Sequence, residues 1–178
     1  NGSIKVLFVP GQLSEPQEIM PYLLTLMEAK DISVYLTFRP YRDAFERWLK
    51  ENKPEIFDKV SKEKILRGDI HEAINQCEVV VGCYSTAALE ALLFLKPLVF
   101  FQTNKWGDYF ELKDYGEKQP FFADNPDDLI KKIKNAQAVS METLKNLQER
   151  YFGDPEKNGS KWVVDQLEDF VRKGNFTK

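Results

Sequence analysis

Short apolar runs alternate with amphipathic segments along most of the chain. A run that is bounded by turn residues and rich in β-branched or aromatic side chains is typical of a buried strand, whereas apolar residues three or four positions apart indicate a helix. The apolar runs predict strands at residues 4–9, 32–38, 64–66, 78–82, 97–101 and 120–123. The periodic segments predict helices at residues 16–29, 41–51, 70–76, 86–95, 127–136, 140–151 and 160–172.

The order of these elements predicts an α/β fold. Strands that are apolar on both faces and alternate with helices are typical of a parallel sheet covered on both sides. We therefore predict a Rossmann-like doubly wound parallel sheet of about six strands with helices on both faces, formed by one domain over residues 4–178. Residues 1–3 (Asn-Gly-Ser, without an initiator Met) resemble an expression remnant, so we expect the chain to be a piece of a longer protein.

Composition and charge argue against two classes of function. The chain has 178 residues, of which 43% are hydrophobic and 30% charged, the profile of a folded soluble protein. A net charge of -3 gives no basic field, so nucleic acid is not an expected partner. The longest apolar stretch, residues 87–101, contains Glu90 and Lys96 and is shorter than the roughly 20 residues that span a bilayer, so no transmembrane segment is expected.

The cysteines and the single histidine give little support for redox or metal chemistry. Cys77 and Cys83 flank a predicted strand and lie too far apart along it for a disulfide, so both are expected to be small buried residues. One histidine is too few for the usual His/Cys metal site. His71 stands in the first turn of its helix and is expected to be a solvated helix residue rather than a catalytic one.

Four short segments directly follow predicted strands, at residues 10–12, 38–40, 82–86 and 102–104. They are candidates for a ligand site, because doubly wound sheets bind ligands beyond the carboxyl ends of their strands, where the strand order reverses. The segment 82–86 (Gly-Cys-Tyr-Ser-Thr) is the most informative, since it turns a buried strand into a helix. Ser85 or Thr86 can cap that helix while its first N–H groups stay free, and such N–H groups suit a diphosphate.

Glu90 is the only charged residue between Thr86 and Leu95. It lies one helical turn inside the predicted helix, so its carboxylate could accept hydrogen bonds from ribose hydroxyls below a phosphate site. The alternative is that Glu90 reaches solvent or pairs with Lys96, and that Ser85 only caps the helix.

Two further residues are candidates for the same site. Gly11 ends the first strand and allows a ligand to approach closely, but no G-x-G-x-x-G pattern follows, so a dinucleotide cofactor is not expected. Arg39 is fixed beside Pro40 at a strand end, where its planar guanidinium can pair with a phosphate or with a neighbouring carboxylate such as Asp43.

A loop rich in aromatic and charged residues covers residues 104–117. Long loops at this end of a doubly wound sheet often carry function. Residues 106–111 (Trp-Gly-Asp-Tyr-Phe-Glu) are interpreted either as a lid over a ligand or as a cap on the sheet edge, and Asp108 and Glu111 are candidates for contacts with sugar hydroxyls.

Three motifs in succession resemble a known enzyme family. They are residues 69–82, which begin Asp-Ile-His-Glu-Ala-Ile and end in Val-Val-Val-Gly, residues 84–92 (Tyr-Ser-Thr-Ala-Ala-Leu-Glu-Ala-Leu) and residues 96–99 (Lys-Pro-Leu-Val). In this order they are similar to the C-terminal, nucleotide-sugar-binding half of GT-B glycosyltransferases, above all the capsule and surface-polysaccharide members. They resemble UDP-N-acetylglucosamine 2-epimerases more distantly. The helix start at residues 124–129 and the closing helix also fit that half.

The resemblance implies that the chain holds the donor nucleotide. In the family, two Rossmann-like domains face each other across a cleft, and the acceptor site with its usual catalytic base lies mainly in the N-terminal one. By this resemblance Ser85 and Thr86 meet the donor diphosphate and Glu90 takes the ribose hydroxyls. The residues assigned to the donor site are Gly11, Arg39, Gly82, Tyr84, Ser85, Thr86 and Glu90.

Two features depart from the family pattern. Retaining members often carry a second Glu eight residues before the position of Glu90, and this chain has Gly82 there, so the resemblance does not carry over that retaining mechanism. Only one half of a GT-B enzyme is present as well. The apolar stripe of the last helix is expected to pack toward the missing domain or against the sheet; it comprises Trp162, Val163, Leu167 and Phe170.

The combined expectation is the donor domain of a glycosyltransferase that moves a sugar from a nucleoside diphosphate to an acceptor in glycan or surface-polysaccharide synthesis. The nucleotide-sugar is then a substrate, no cofactor is expected, and a missing N-terminal acceptor domain or a partner subunit is required for turnover. The alternatives are half of a sugar-nucleotide epimerase and a non-catalytic nucleotide-binding module of the same fold. The expected location is cytoplasmic, or peripheral at the membrane for the full-length protein.

Overall fold

The computed structural model describes residues 2–154 and 159–172. Its strands are β1 (Ile4–Val9), β2 (Ile32–Thr37), β3 (Ile65–Leu66), β4 (Val79–Gly82), β5 (Leu98–Phe101) and β6 (Phe122–Ala123). Its α-helices are α1 (Pro16–Glu28), α2 (Ala44–Asn52), α3 (Pro54–Phe57), α4 (Ile70–Gln76), α5 (Thr86–Leu89), α6 (Pro126–Gln137), α7 (Met141–Phe152) and α8 (Gly159–Arg172). Two stretches of 3₁₀-helix lie at Lys62–Lys64 and Glu90–Phe94.

Within the described ranges, the strands form one parallel sheet in the order β3-β2-β1-β4-β5-β6. The chain builds from β1 to one edge of the sheet, returns to place β4 on the other side of β1, and builds outward to β6. The strand order therefore reverses between β1 and β4, and their carboxyl ends border the crevice where such folds bind ligands. The predicted Rossmann-like doubly wound sheet is confirmed.

The side chains of β1 show why helices cover both faces of the sheet. Val6 and Phe8 belong to one buried cluster, which α1, α2 and α6 complete. Leu7 and Val9 alternate with them and belong to a second cluster, on the opposite face, that α4, α5 and α7 complete. Since successive side chains of a strand point to opposite faces, a continuous apolar run needs a helix layer on each side.

Capping side chains decide where several helices begin. Asn125 accepts from the Asp128 N–H at 3.1 Å, and Pro126 occupies the first helical position as predicted. The carboxylate of Asp43 accepts from the Glu46 N–H at 2.9 Å. This cap starts α2 at Ala44, so the predicted start at residue 41 is three residues too early.

The predicted helix at residues 86–95 winds in two ways. It is α-helical over Thr86–Leu89 and continues as 3₁₀-helix over Glu90–Phe94, before Leu95 ends it with a φ of 51°. The buried side chain of Gln148, in α7, donates its amide N–H to the Leu92 carbonyl at 2.9 Å. The last carbonyls of a helix need partners beyond the helical pattern, and here a second helix and a tighter final turn supply them.

Helix α8 presents apolar side chains to solvent. Val163, Leu167 and Phe170 are 48%, 60% and 46% exposed. One of the two expectations was that this stripe packs against the sheet, and these exposures show that it does not. The helix itself, predicted at residues 160–172, is confirmed at Gly159–Arg172. The side chain of Trp162 lies outside the described part of the chain.

Candidate functional site

A cleft of about 470 Å³ opens at the carboxyl ends of β1, β2 and β4, beside the reversal of strand order. Its lining comes from the segments that follow four strands and from the loop after β5. The residues are Val9, Pro10, Gln12, Leu13, Thr37, Phe38, Arg39, Pro40, Asp43, Gly68, Ile70, Tyr84, Ser85, Thr86, Ala87, Tyr109 and Phe110. Of the predicted site residues, Arg39, Tyr84, Ser85 and Thr86 line the cleft; Gly11, Gly82 and Glu90 are not among the described residues that do so.

Gly11 and Gly82 shape the cleft from behind its surface. A Cβ atom on Gly11 would lie 2.5 Å from the Cys83 carbonyl oxygen and 2.9 Å from the Cys83 sulfur, so the loop after β1 touches the turn after β4. A Cβ atom on Gly82 would lie 3.0 Å from both the Ala88 Cβ and the Val9 carbonyl oxygen. Both glycines therefore permit close packing of the cleft floor.

The turn after β4 has a strained backbone at Tyr84, whose φ is 33°. A non-glycine residue in this region is uncommon and costs free energy that the surrounding structure must offset. The Ser85 hydroxyl caps α5 by accepting from the Ala88 N–H at 3.4 Å, whereas Thr86 is exposed in the cleft lining. The Ala88 and Leu89 N–H groups both donate to Ser85, so among the described residues of this first turn the N–H groups of Thr86 and Ala87 are left to donate to an anion.

Aromatic rings hold the Tyr84 turn from the side of the 104–117 loop. The Tyr84 and Trp106 rings stack with centroids 3.6 Å apart and an angle of 4°, and Tyr109 meets Tyr84 edge-on at 4.6 Å. Desolvation, with Tyr109 adding to it, raises the pKa of the Tyr84 phenol. The Trp106 indole N–H also donates to the Leu13 carbonyl at 3.2 Å, so the loop is tied to both sides of the cleft. Tyr109 and Phe110 of this loop form one wall of the cleft.

Asp43 organises the β2 side of the cleft. Its carboxylate is 4% exposed and accepts from the Arg39 backbone N–H at 3.1 Å and from the Gln12 side-chain amide at 2.5 Å. The Asp43 contact with Arg39 therefore uses the backbone and leaves the guanidinium for another partner. The guanidinium is exposed at the rim of the cleft, where it can reach an anion.

The carboxylate of Glu90 pairs with the imidazole of His71 and not with Lys96. Its Oε2 atom lies 2.7 Å from Nε2 of His71, and the two side chains are 31% and 44% exposed. Lys96 donates instead to the Cys77 carbonyl at 2.9 Å. His71 is a partly exposed helix residue as expected, and in addition its ring has a carboxylate partner and an edge contact with Phe94 at 5.1 Å.

Asp108 and Glu111 lie outside the lining of this cleft. The Asp108 carboxylate accepts from the backbone N–H groups of Leu112 and Lys113 at 2.9 and 2.7 Å, which fixes the loop. Glu111 forms an ion pair with Arg150 at 3.0 Å. Both carboxylates thus have structural partners in this structure, and neither faces the place where a ligand would meet Thr86.

Several cleft residues escaped sequence reasoning. Gly68 and Ile70 enter the lining because they stand between β3 and α4, at a strand end that only the folded sheet brings beside β2. Tyr109 and Phe110 lie on the loop that the sequence marked, but their contact with Tyr84 is tertiary. Asp43 gave a usable signal, since an Asp before an apolar helical face is a typical N-cap.

The cysteines are free and buried as predicted. Burial raises the pKa of Cys83 and raises the pKa of Cys77 to about 12. Across residues 2–154 and 159–172, no three His, Cys, Asp or Glu side chains gather as metal ligands would. No helix in the same ranges is long and apolar enough to cross a membrane.

The sequence matches no protein-family model and no curated protein sequence. The fold is similar to solved structures of the wall teichoic acid polymerase TagF. The TM-score is 0.53 at 13% identity for a structure soaked with CDPG for 30 minutes, over 98% of this chain and 44% of that chain. It is 0.52 at 14% identity for a 15-minute soak, over 98% of this chain and 43% of that chain. At these identities the likeness shows a shared fold alone, that of an α/β Rossmann-like domain, and the chain spans less than half the length of those structures.

Proposed function

We propose that the chain is the donor nucleotide-sugar-binding domain of a glycosyltransferase that transfers a sugar from a nucleoside diphosphate to an acceptor. The cleft at the reversal of strand order carries this proposal. Its volume of about 470 Å³ falls within the usual range for small-molecule sites, and its lining combines apolar side chains with a few convergent polar groups. The substrate supplies the leaving group, so the proposal needs no cofactor.

The polar groups of the cleft suit a diphosphate. Thr86 presents a hydroxyl beside the first N–H groups of α5, and Arg39 brings a permanent positive charge to the rim. Hydroxyl, backbone N–H and guanidinium groups are the usual donors to phosphate oxygens. The apolar and aromatic side chains of Leu13, Ile70 and Phe110 can pack against the apolar face of the base or of the sugar ring.

The fold supports a role in a larger enzyme. TagF shares this fold over less than half of its length, which supports a partner domain that supplies the acceptor pocket and the catalytic base. TagF acts in the synthesis of a wall polymer, and this supports surface-polysaccharide synthesis as the setting. We therefore expect the chain alone to bind donor without transferring it.

Titration calorimetry of the full chain with UDP, GDP, CDP and TDP tests the proposal. At least one of these should bind more tightly than millimolar, and free pyrophosphate should bind more weakly but measurably. Thr86→Val removes the hydroxyl with little change of shape, so both the nucleotide and pyrophosphate should lose about tenfold in affinity, the scale of one hydrogen bond to a charged group. Thr25→Val, in α1 and outside the cleft lining, is the matched control and should bind as the wild type does.

Glu90→Gln separates the two ends of the nucleotide. If the carboxylate takes the ribose hydroxyls, the variant should weaken nucleotide binding and leave pyrophosphate binding unchanged. An equal loss for both ligands would refute the ribose role of Glu90. Millimolar or weaker binding of all four nucleoside diphosphates would refute the donor-domain proposal itself.

A further inference from the structure

The contact between His71 and Glu90 joins two segments that flank one end of the cleft. His71 is the second residue of α4 and follows Ile70, which lines the cleft. Glu90 stands one helical turn after Thr86 and Ala87, which line the cleft from the other side; His71 and Glu90 border the described lining and are not part of it. The Nε2–Oε2 distance of 2.7 Å therefore bridges the β3–α4 connection and the helix that follows β4.

His71 is itself held in place. The Asp69 carboxylate caps α4 by accepting from the His71 backbone N–H at 2.8 Å. The imidazole ring meets the Phe94 ring edge-on, with centroids 5.1 Å apart. The helix cap and the Phe94 contact support the ring in the position where its Nε2 meets Glu90.

We propose that His71 is a positioning residue that fixes the Glu90 carboxylate for the ribose of the bound nucleotide; this inference rests on the proposed function. A Glu side chain has three rotatable bonds, and a ligand that must order them loses part of its binding free energy as conformational entropy. The contact with His71 orders the carboxylate before the nucleotide arrives. It occupies Oε2 only, and a carboxylate has acceptor capacity on both oxygens, so Oε1 can still accept from ribose.

The test measures how much the ribose hydroxyls contribute to binding in three forms of the full chain. The probes are CDP and its 2′,3′-dideoxy counterpart, or UDP and its counterpart if UDP binds more tightly. His71→Phe keeps an aromatic ring beside Phe94 but removes the donor. His71→Gln replaces the ring by a side chain that can place an amide N–H near the position of Nε2.

In the wild type the dideoxy nucleotide should bind about tenfold more weakly than the ribonucleotide, the scale of a hydrogen bond to a charged group. In His71→Phe this ratio should fall to about twofold or less, whereas His71→Gln should recover most of it. Pyrophosphate affinity should be the same in all three forms, because the phosphate end does not involve His71.

The outcomes are distinguishable. A His71→Phe variant that keeps the wild-type ratio refutes the positioning role while leaving the donor-domain proposal intact. An equal loss of affinity for ribo- and dideoxynucleotide also refutes it, since that result means that the contact only stabilises the fold. Failure of the wild type to bind any of the nucleotides overturns both proposals together. Because His71 is the only histidine in the chain, its ring signals in a proton spectrum report directly whether the ring stays ordered in the free and bound forms.

Discussion

Replacing Gly11 with Ala should damage the cleft, because the added Cβ would make the shortest contact of any described glycine. The new Cβ would lie 2.5 Å from the Cys83 carbonyl oxygen and 2.9 Å from the Cys83 sulfur. Carbon and oxygen atoms normally stay about 3.3 Å or more apart. The sulfur can move with its side chain, but the carbonyl oxygen belongs to the backbone that leads into the strained turn at Tyr84.

The magnitude follows from what must move. Overpacking a well-packed site typically costs about 1–3 kcal/mol, and we expect about 3 kcal/mol because the neighbour is backbone. A chain of this size loses about 2–4 °C in Tm for each kcal/mol, so the Tm of Gly11→Ala should fall by roughly 6–12 °C. The displaced turn carries Ser85 and Thr86, so nucleotide affinity should fall as well.

Urea denaturation followed by far-UV circular dichroism measures the stability, and calorimetry with the best nucleoside diphosphate measures the binding. Gly159→Ala is the matched control, because no atom lies within 4 Å of the Cβ it would add at the start of α8. This control should change the free energy of unfolding by less than about 0.5 kcal/mol. Because Cys83→Ala also removes buried packing, Gly11→Ala is measured again in the Cys83→Ala background, where it should still cost more than half of what it costs in the wild type.

Two results would refute this reasoning. An unfolding midpoint of Gly11→Ala equal to that of the wild type would mean that the loop after β1 and the turn after β4 are not in backbone contact. A cost of Gly11→Ala that vanishes in the Cys83→Ala background would mean that the sulfur, and not the carbonyl oxygen, is the atom in the way.

Three further predictions concern buried groups. Burial raises the pKa of both Cys77 and Cys83, so the thiols should stay protonated and resist iodoacetamide at pH 8 until urea unfolds the chain, which mass spectrometry checks. Because the unfolded thiols ionise above their ordinary pKa of 9.0 and the buried ones do not, the free energy of unfolding should fall as the pH rises above 9.0, which urea curves check. Thr103→Val should leave stability unchanged or raise it by about 1 kcal/mol in urea denaturation, because the Thr103 hydroxyl is buried without a hydrogen-bond partner among the described residues. Gln148→Leu should cost about 1–3 kcal/mol in the same assay, because the Leu92 carbonyl loses its side-chain donor.

Strand-level features were predictable because the signals are local. Three successive Val residues in β4 indicate a buried parallel strand. The rule that ligands bind beyond strand ends identifies the segments 10–12, 38–40 and 82–86, which the cleft brings together. The fourth segment, residues 102–104, does not contribute to the described lining, which the loop after β5 reaches only farther along, at Tyr109 and Phe110. The rule depends on the order of strands in the sheet, and that order is a property of the fold rather than of the segment.

The pair of His71 and Glu90 shows what local signals omit. The two residues are 19 positions apart and stand on different helices, so no helical or strand period relates them. The sequence shows Glu90 as the only charged residue between Thr86 and Leu95. Its partner, His71, depends on how α4 packs beside the 3₁₀-helix. Lys96 is closer in sequence and oppositely charged, but it donates to the Cys77 carbonyl instead.

Tyr84 is where local preference and tertiary structure disagree most clearly. A turn that needs a positive φ favours Gly or Asn, and Tyr has neither the small size nor the short polar side chain that makes this conformation easy. The stacked ring of Trp106 and the edge contact with Tyr109 provide the stabilisation that the backbone lacks. Trp106 is in turn tied to Leu13 across the cleft, so the same contacts that offset the strain also fix the walls around Ser85 and Thr86. The unfavourable backbone conformation of Tyr84 is thus offset by ring contacts beside the cleft. Backbone strain of this kind is typical of binding sites, where the surrounding structure holds a residue in a functional geometry.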